Sequence, residues 1–139
     1  MIATVTQILD RLDAVLKAAA PAGVQVFRER ADAQSRDEAP CINALARDDA
    51  IAPFSGEFDR HEISVDLRIN VRADVPTPLA DAVHQAVHAA IVRDPALLNL
   101  CVSVRLFGSA SYDREEADLT SLTKVAPYRF VYLVPFDNL

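Results

Sequence analysis

His61-Glu62-Ile63-Ser64-Val65-Asp66-Leu67-Arg68-Ile69-Asn70-Val71-Arg72 alternates polar and apolar side chains from Glu62 to its end. Successive side chains of a strand point to opposite faces. Ile63, Val65, Leu67, Ile69 and Val71 therefore read as a buried face, and Glu62, Ser64, Asp66, Arg68, Asn70 and Arg72 as a wet one. A one-residue slip would put all five apolar side chains in water, so this strand has a strongly specified register. The five are expected to point at helices and to pack with Leu9, Leu12, Leu16, Val83 and Val87.

Toward the N-terminus, Ile2, Val5, Leu9, Leu12 and Leu16 recur at steps of three and four, with Ile8 and Val15 beside them. That spacing predicts an amphipathic helix from Ile2 to Ala20, ended by Pro21, with Gly23 supplying the turn. Val24 to Arg30 reads as a strand, Ala31 to Glu38 as a loop, and Ala39 to Leu45 as a second strand with Pro40 at its entrance. Asp48 to Arg60 reads as a long hairpin connection containing Gly56. Its Ile51, Phe54 and Phe58 either form a contact surface or fold back onto the core.

Toward the C-terminus, Val75-Pro76-Thr77-Pro78 opens a second helix, with Thr77 expected to cap and Pro78 to take the first helical position. Leu79, Val83, Val87, Ala90 and Ile91 form its apolar face, and Arg93-Asp94-Pro95 stops it. Leu100 to Phe107 alternates as a fourth strand. Gly108 to Asp118 is polar and reads as an exposed connection. Tyr128 to Val134 is apolar on both parities, which suits a strand covered on both faces.

These elements predict an α+β fold: one domain over residues 1–139, ordered helix, three strands, helix, two strands. The sheet is expected to be mixed and mostly antiparallel, with both helices packed on one face. The charged parity of the central strand, and the second apolar parity assigned to Phe130 and Tyr132, would then meet water or another chain. Phe54, Phe58, Asp66, Arg68, Phe130 and Tyr132 are accordingly the candidate interface residues.

A chain of 139 residues buries enough surface to need no disulfide or metal staple. Its 14 basic and 20 acidic residues leave a net charge of −6, which disfavours a protein whose main task is to neutralise phosphates. No stretch approaches the roughly 20 apolar residues that cross a bilayer. Met1 to Asp10 lacks the basic region and cleavage site of a secretory signal, so a cytosolic protein with no membrane partner is expected. Cys41 and Cys101, far apart and each in apolar context, read as buried thiols.

Strong signatures of chemistry are missing: there is no GxxxxGK[ST] loop, GxGxxG turn, GxSxG elbow or HExxH helix. His84 and His88 stand four apart on the second helix, and His61 is a conceivable third ligand of a metal-dependent enzyme. The segment between them lacks the Glu that would act as base beside a zinc-bound water. The two histidines read instead as polar residues on the helix's solvent side, dispensable for folding and without a tightly held metal. Asp113, Glu115, Glu116 and Asp118 read as a solvated charge run. Ser109, Ser111 and Tyr112 have no nearby base, and Arg28, Arg30, Arg36 and Arg47 are too interspersed with acids to form a nucleic-acid stripe. No catalytic residue, cofactor or metal site is expected.

The order of segments resembles the small tail terminator, or tail completion, proteins of long-tailed phages and prophages, often labelled minor tail proteins. The opening helix followed by Val26-Phe27-Arg28 carries the resemblance, with Ala39-Pro40-Cys41-Ile42-Asn43 before Asp48-Asp49 and the alternating strand His61 to Arg72. Asp94-Pro95-Ala96-Leu97 and the closing Tyr128-Arg129-Phe130-Val131-Tyr132 complete it, so that it spans nearly the whole chain. The resemblance implies a non-enzymatic protein with two helices against a mixed sheet, assembled as a ring, usually a hexamer. Such a ring sits on the end of the tail tube, stops tube polymerisation and presents a surface for a head-completion protein. Its partners would be itself, the tube protein and the head-completion protein, with DNA passing through unbound. Its place would be the virion tail, assembled in the bacterial host cytoplasm. A small-ligand or regulatory αβ module that dimerises through its sheet is the rival expectation.

Overall fold

The computed structural model describes residues 4–30, 38–116 and 119–138. Ile2, most of the expected loop from Ala31 to Glu38, and Asp118 of the acidic run lie outside the described residues. Helix α1 covers Val5–Ala19 and starts in a capping box: Thr4 accepts from the Gln7 amide while the Gln7 side chain accepts from the Thr4 amide. Ile8, Leu9, Leu12, Val15 and Leu16 are its buried stripe. After Pro21 the chain turns through Gly23, whose φ of 85° suits a residue without a Cβ.

Among the described residues six strands form one sheet: β1 (Gln25–Arg28), β2 (Cys41–Pro53), β3 (Phe58–Ala73), β4 (Ser103–Leu106), β5 (Ser111–Glu115) and β6 (Thr120–Pro135). Their order is β1-β2-β3-β6-β4, with β5 also on β6. Only β1 against β2 is parallel, so the sheet is mixed and mostly antiparallel as expected. Helix α2 covers Pro76–Val92 and the short helix α3 covers Pro95–Leu100. Ile63, Val65, Leu67, Ile69 and Val71 are all buried in one cluster with Leu9, Leu12, Leu16, Val83 and Val87, which is the inward parity read from the alternation.

Several elements depart from the expectations. The stretch Asp48 to Arg60 is mostly strand: β2 and β3 continue to Pro53 and from Phe58, leaving a tight turn between them. Backbone pairing needs no burial, so the ladder outruns the hydrophobic pattern. Within the expected polar connection after Gly108, Ser111 to Glu115 pairs with β6 as a fully exposed edge strand. Pro76, not Pro78, opens α2; its N-cap is Val75, and Thr77 lies inside the helix. Leu79 is exposed rather than part of the apolar face. Asp94 does more than end α2. Its side chain accepts from the Leu97 amide at 2.9 Å and starts α3, with Pro95 in the first turn. The fourth strand is consequently shorter than Leu100 to Phe107.

Candidate functional site

Two faces of the sheet differ in chemistry. On the helix side, a polar seam runs from the exposed β5 edge into the buried core. Thr77, Asp81, His84 and His88 lie at steps of four, three and four along α2, hence on one side of the helix. Each meets a side chain from β5 or β6. Arg114 donates to the Thr77 hydroxyl at 2.6 Å, while Lys124 and Tyr112 donate to Asp81 at 3.0 and 3.1 Å. The Tyr128 hydroxyl lies 2.8 Å from His84 Nε2 and 2.7 Å from His88 Nδ1, donating to one ring and accepting from the other.

This corrects the solvent-facing assignment of the histidines. His84 is buried and His88 half-buried, because Tyr128 supplies the hydrogen bonds that let imidazoles sit against the sheet. Burial pushes the His84 pKa down to about 4, helped by the nearby Lys124 and His88. Lys124 holds Asp81 below the usual carboxylate range. Burial also raises Tyr128, so the hydroxyl stays protonated. Cys41 and Cys101 are buried thiols, pushed up to about 11 and about 12 by burial.

His61 is elsewhere. It pairs with Tyr132 across β3 and β6, whereas Tyr128 pairs with Val65, four residues along the strand. At about 3.4 Å per residue this sets the His61 row more than 10 Å from the row of Tyr128, the residue that the other two histidines meet. Among the described residues no group of three or more His, Cys, Asp or Glu converges as a metal site. His61 Nδ1 donates to Asp49 Oδ2 at 2.8 Å, and Tyr132 donates to the same oxygen at 2.9 Å. Asp49 Oδ1 is left buried without a hydrogen-bond partner among the described residues. These groups border a cleft of about 310 Å3 shared with Thr4, Thr6 and Ile51.

The face away from the helices is polar along β3 and largely apolar along β6. Glu62 bridges Arg60 at 2.8 Å and Arg129 at 3.0 Å, and Arg129 stacks 3.4 Å over the Phe107 ring. Asp66 faces this side but is buried beside Arg47 at 3.5 Å, and Arg68 is exposed.

Phe130 and Tyr132 are not on this face. They are 0% and 2% exposed beneath the helices, because Ile63 pairs with Phe130 and His61 with Tyr132, so each shares the inward parity of β3. The other parity of β6, Val125, Pro127, Arg129, Val131 and Leu133, faces outward. Phe58 is half-buried. Phe54, at the β2–β3 turn, is 60% exposed, and Phe136, whose amide donates to the Glu57 carbonyl at 3.0 Å, is 64% exposed. Residues 50–57 are exposed on both strand parities, so the far end of β2 and its turn form an arm with neither face covered by the described residues.

No described helix is long and apolar enough to cross a membrane. No protein-family model and no curated protein matches the chain.

Proposed function

We propose that this chain is a structural ring protein of a phage or prophage tail. It caps the tail tube, stops addition of further tube protein and offers a surface to the head-completion protein. It acts through contact surfaces rather than catalysis, in the virion tail after assembly in the bacterial host cytoplasm. The observation that carries this reading is the exposed arm. The far end of β2 pairs on one side with β3, which β6 backs, while residues 50–57 keep both faces in water and gain little from burial. Here it displays Ile51, Phe54 and the neighbouring Phe136, a grouping that suits an association surface. The α+β fold with two long helices against a mixed sheet is the one the resemblance implies. The negative net charge of −6 suits a ring through which DNA slides without sticking.

Electron microscopy of the chain mixed with its tube protein tests the reading. Tubes capped by a ring and halted in growth support it, and uncapped tubes of unlimited length refute it. The cleft at Asp49, His61 and Tyr132 favours a second reading, a small-ligand module that dimerises through its sheet. Such a module would leave tube growth unaffected.

A further inference from the structure

The two free edges of the sheet match each other. β1 covers β2 only from Cys41 to Ala44, and β2 beyond Leu45 pairs on one side only, with β3, among the described strands. At the other edge β4 pairs with β6 alone among the described strands. The ladders put both free edges at the same height: Asp48, Ser64, Arg129 and Arg105 form one cross-strand row, and Asp49, Ile63, Phe130 and Val104 the next. β2 and β4 run in opposite directions, because three antiparallel steps separate them.

Backbone polarity agrees. Phe54 donates to the Phe58 carbonyl, so by alternation Asp48, Ala50 and Ala52 bond to β3 while Asp49 and Ile51 turn their N–H and C=O outward. Phe107 donates to the Pro127 carbonyl, so Val104 and Leu106 turn theirs outward from β4. Pro53 lacks an N–H and ends the donor row on β2.

We infer that the edge of β4 in one copy of this chain pairs antiparallel with the β2 edge at Asp48–Ile51 of the next copy, continuing the sheet from subunit to subunit. This names the self-contact of the proposed ring and rests on that reading for its partner. Continuing the rows places Val104 opposite Asp49, where both turn backbone groups outward, and Arg105 opposite Asp48 on the polar face. Arg105 already stands beside Arg129 within its own row, and like charges directly opposite are unfavourable. Glu62 compensates Arg129 at 3.0 Å, and an incoming Asp48 would set an opposite charge directly against Arg105. Ile51 and Val102, exposed by 57% and 67%, flank the two edges and would lose water on pairing. A β4-to-β2 contact is head-to-tail, and it closes into a ring when the rotation per copy divides a full turn.

The test is sedimentation velocity and native mass spectrometry on the purified full chain over a concentration series. Wild type is expected to self-associate. Arg105→Glu and Asp48→Arg are each expected to weaken association about tenfold or more, and the double variant to restore it to within about threefold. Ile51→Pro removes an outward N–H without touching the ladder to β3, so it should abolish association while the circular dichroism spectrum stays that of wild type. Wild type that stays monomeric at every concentration overturns the edge contact, as do single variants that assemble like wild type or a double variant that does not recover. Capped tubes alongside such results would leave the tail reading standing. Uncapped tubes alongside charge-swap rescue would remove the tail reading and keep the edge contact.

Discussion

The helix-covered face and the arm are built from the same strands, β2 and β3, yet they solve opposite problems. Along Ile63 to Val71 every second side chain is buried against α1 and α2, and the polar groups among them, His84, His88, Lys124 and Tyr128, find partners within the chain. Along residues 50–57 the same ladder is exposed on both faces among the described residues. The first region is where folding free energy resides, and the second is where a partner has something to add. Substitutions should therefore separate cleanly into those that unfold the chain and those that change only what it binds.

The largest expected effect comes from Phe130, which the register places under the helices. Phe130→Ala should cost about 3 to 5 kcal/mol, and Leu67→Ala about 2 to 5 kcal/mol, in urea unfolding. An unchanged unfolding midpoint for either would break the comparison at its strong end. The next effect is a dependence on pH. His84 is held neutral with a folded pKa of about 4 against an ordinary value of 6.5, so the unfolded chain binds the proton more readily. Its contribution is complete above pH 6.5 and is lost as the pH falls toward 4. The loss amounts to about 3 kcal/mol and should be absent from His84→Gln when the two are unfolded across that window. At neutral pH, His84→Gln should itself cost about 1 to 3 kcal/mol, through the altered hydrogen bond to Tyr128. Phe54→Ala closes the series with a change within about 0.5 kcal/mol, despite removing a whole aromatic ring.

Legibility from sequence followed the same division. The strict alternation of Glu62 to Arg72 named its inward residues correctly, and the three-and-four spacing of Val5 to Leu16 named the stripe of α1. Where both parities are apolar, as from Tyr128 to Val134, alternation cannot say which side is which. Phe130 and Tyr132 were therefore assigned to the wrong face, and only the pairing with Ile63 and His61 settles it. The arm and β5 were invisible for a related reason: their side chains are in water, so hydrophobic periodicity carries no record of their backbone pairing. Two helix starts carry local signals that hydrophobic spacing does not use, Thr4-x-x-Gln7 as a capping box and Asp94-Pro95 as an N-cap with proline in the first turn. His84 and His88 failed for a different cause. Their partner, Tyr128, lies 40 residues or more away in sequence, and a polar side chain's destination depends on a partner that spacing does not reveal.

The central claim is that partners meet the arm and the open edges while the helix side stays closed. Hydrogen exchange read by mass spectrometry, on the chain alone and on the chain bound at the end of tubes, tests it most directly. The account predicts added protection in residues 48–57 and 103–107, with no change along α2 from Asp81 to His88. Protection gained along α1 and α2, with the arm exchanging as fast as before, would contradict it.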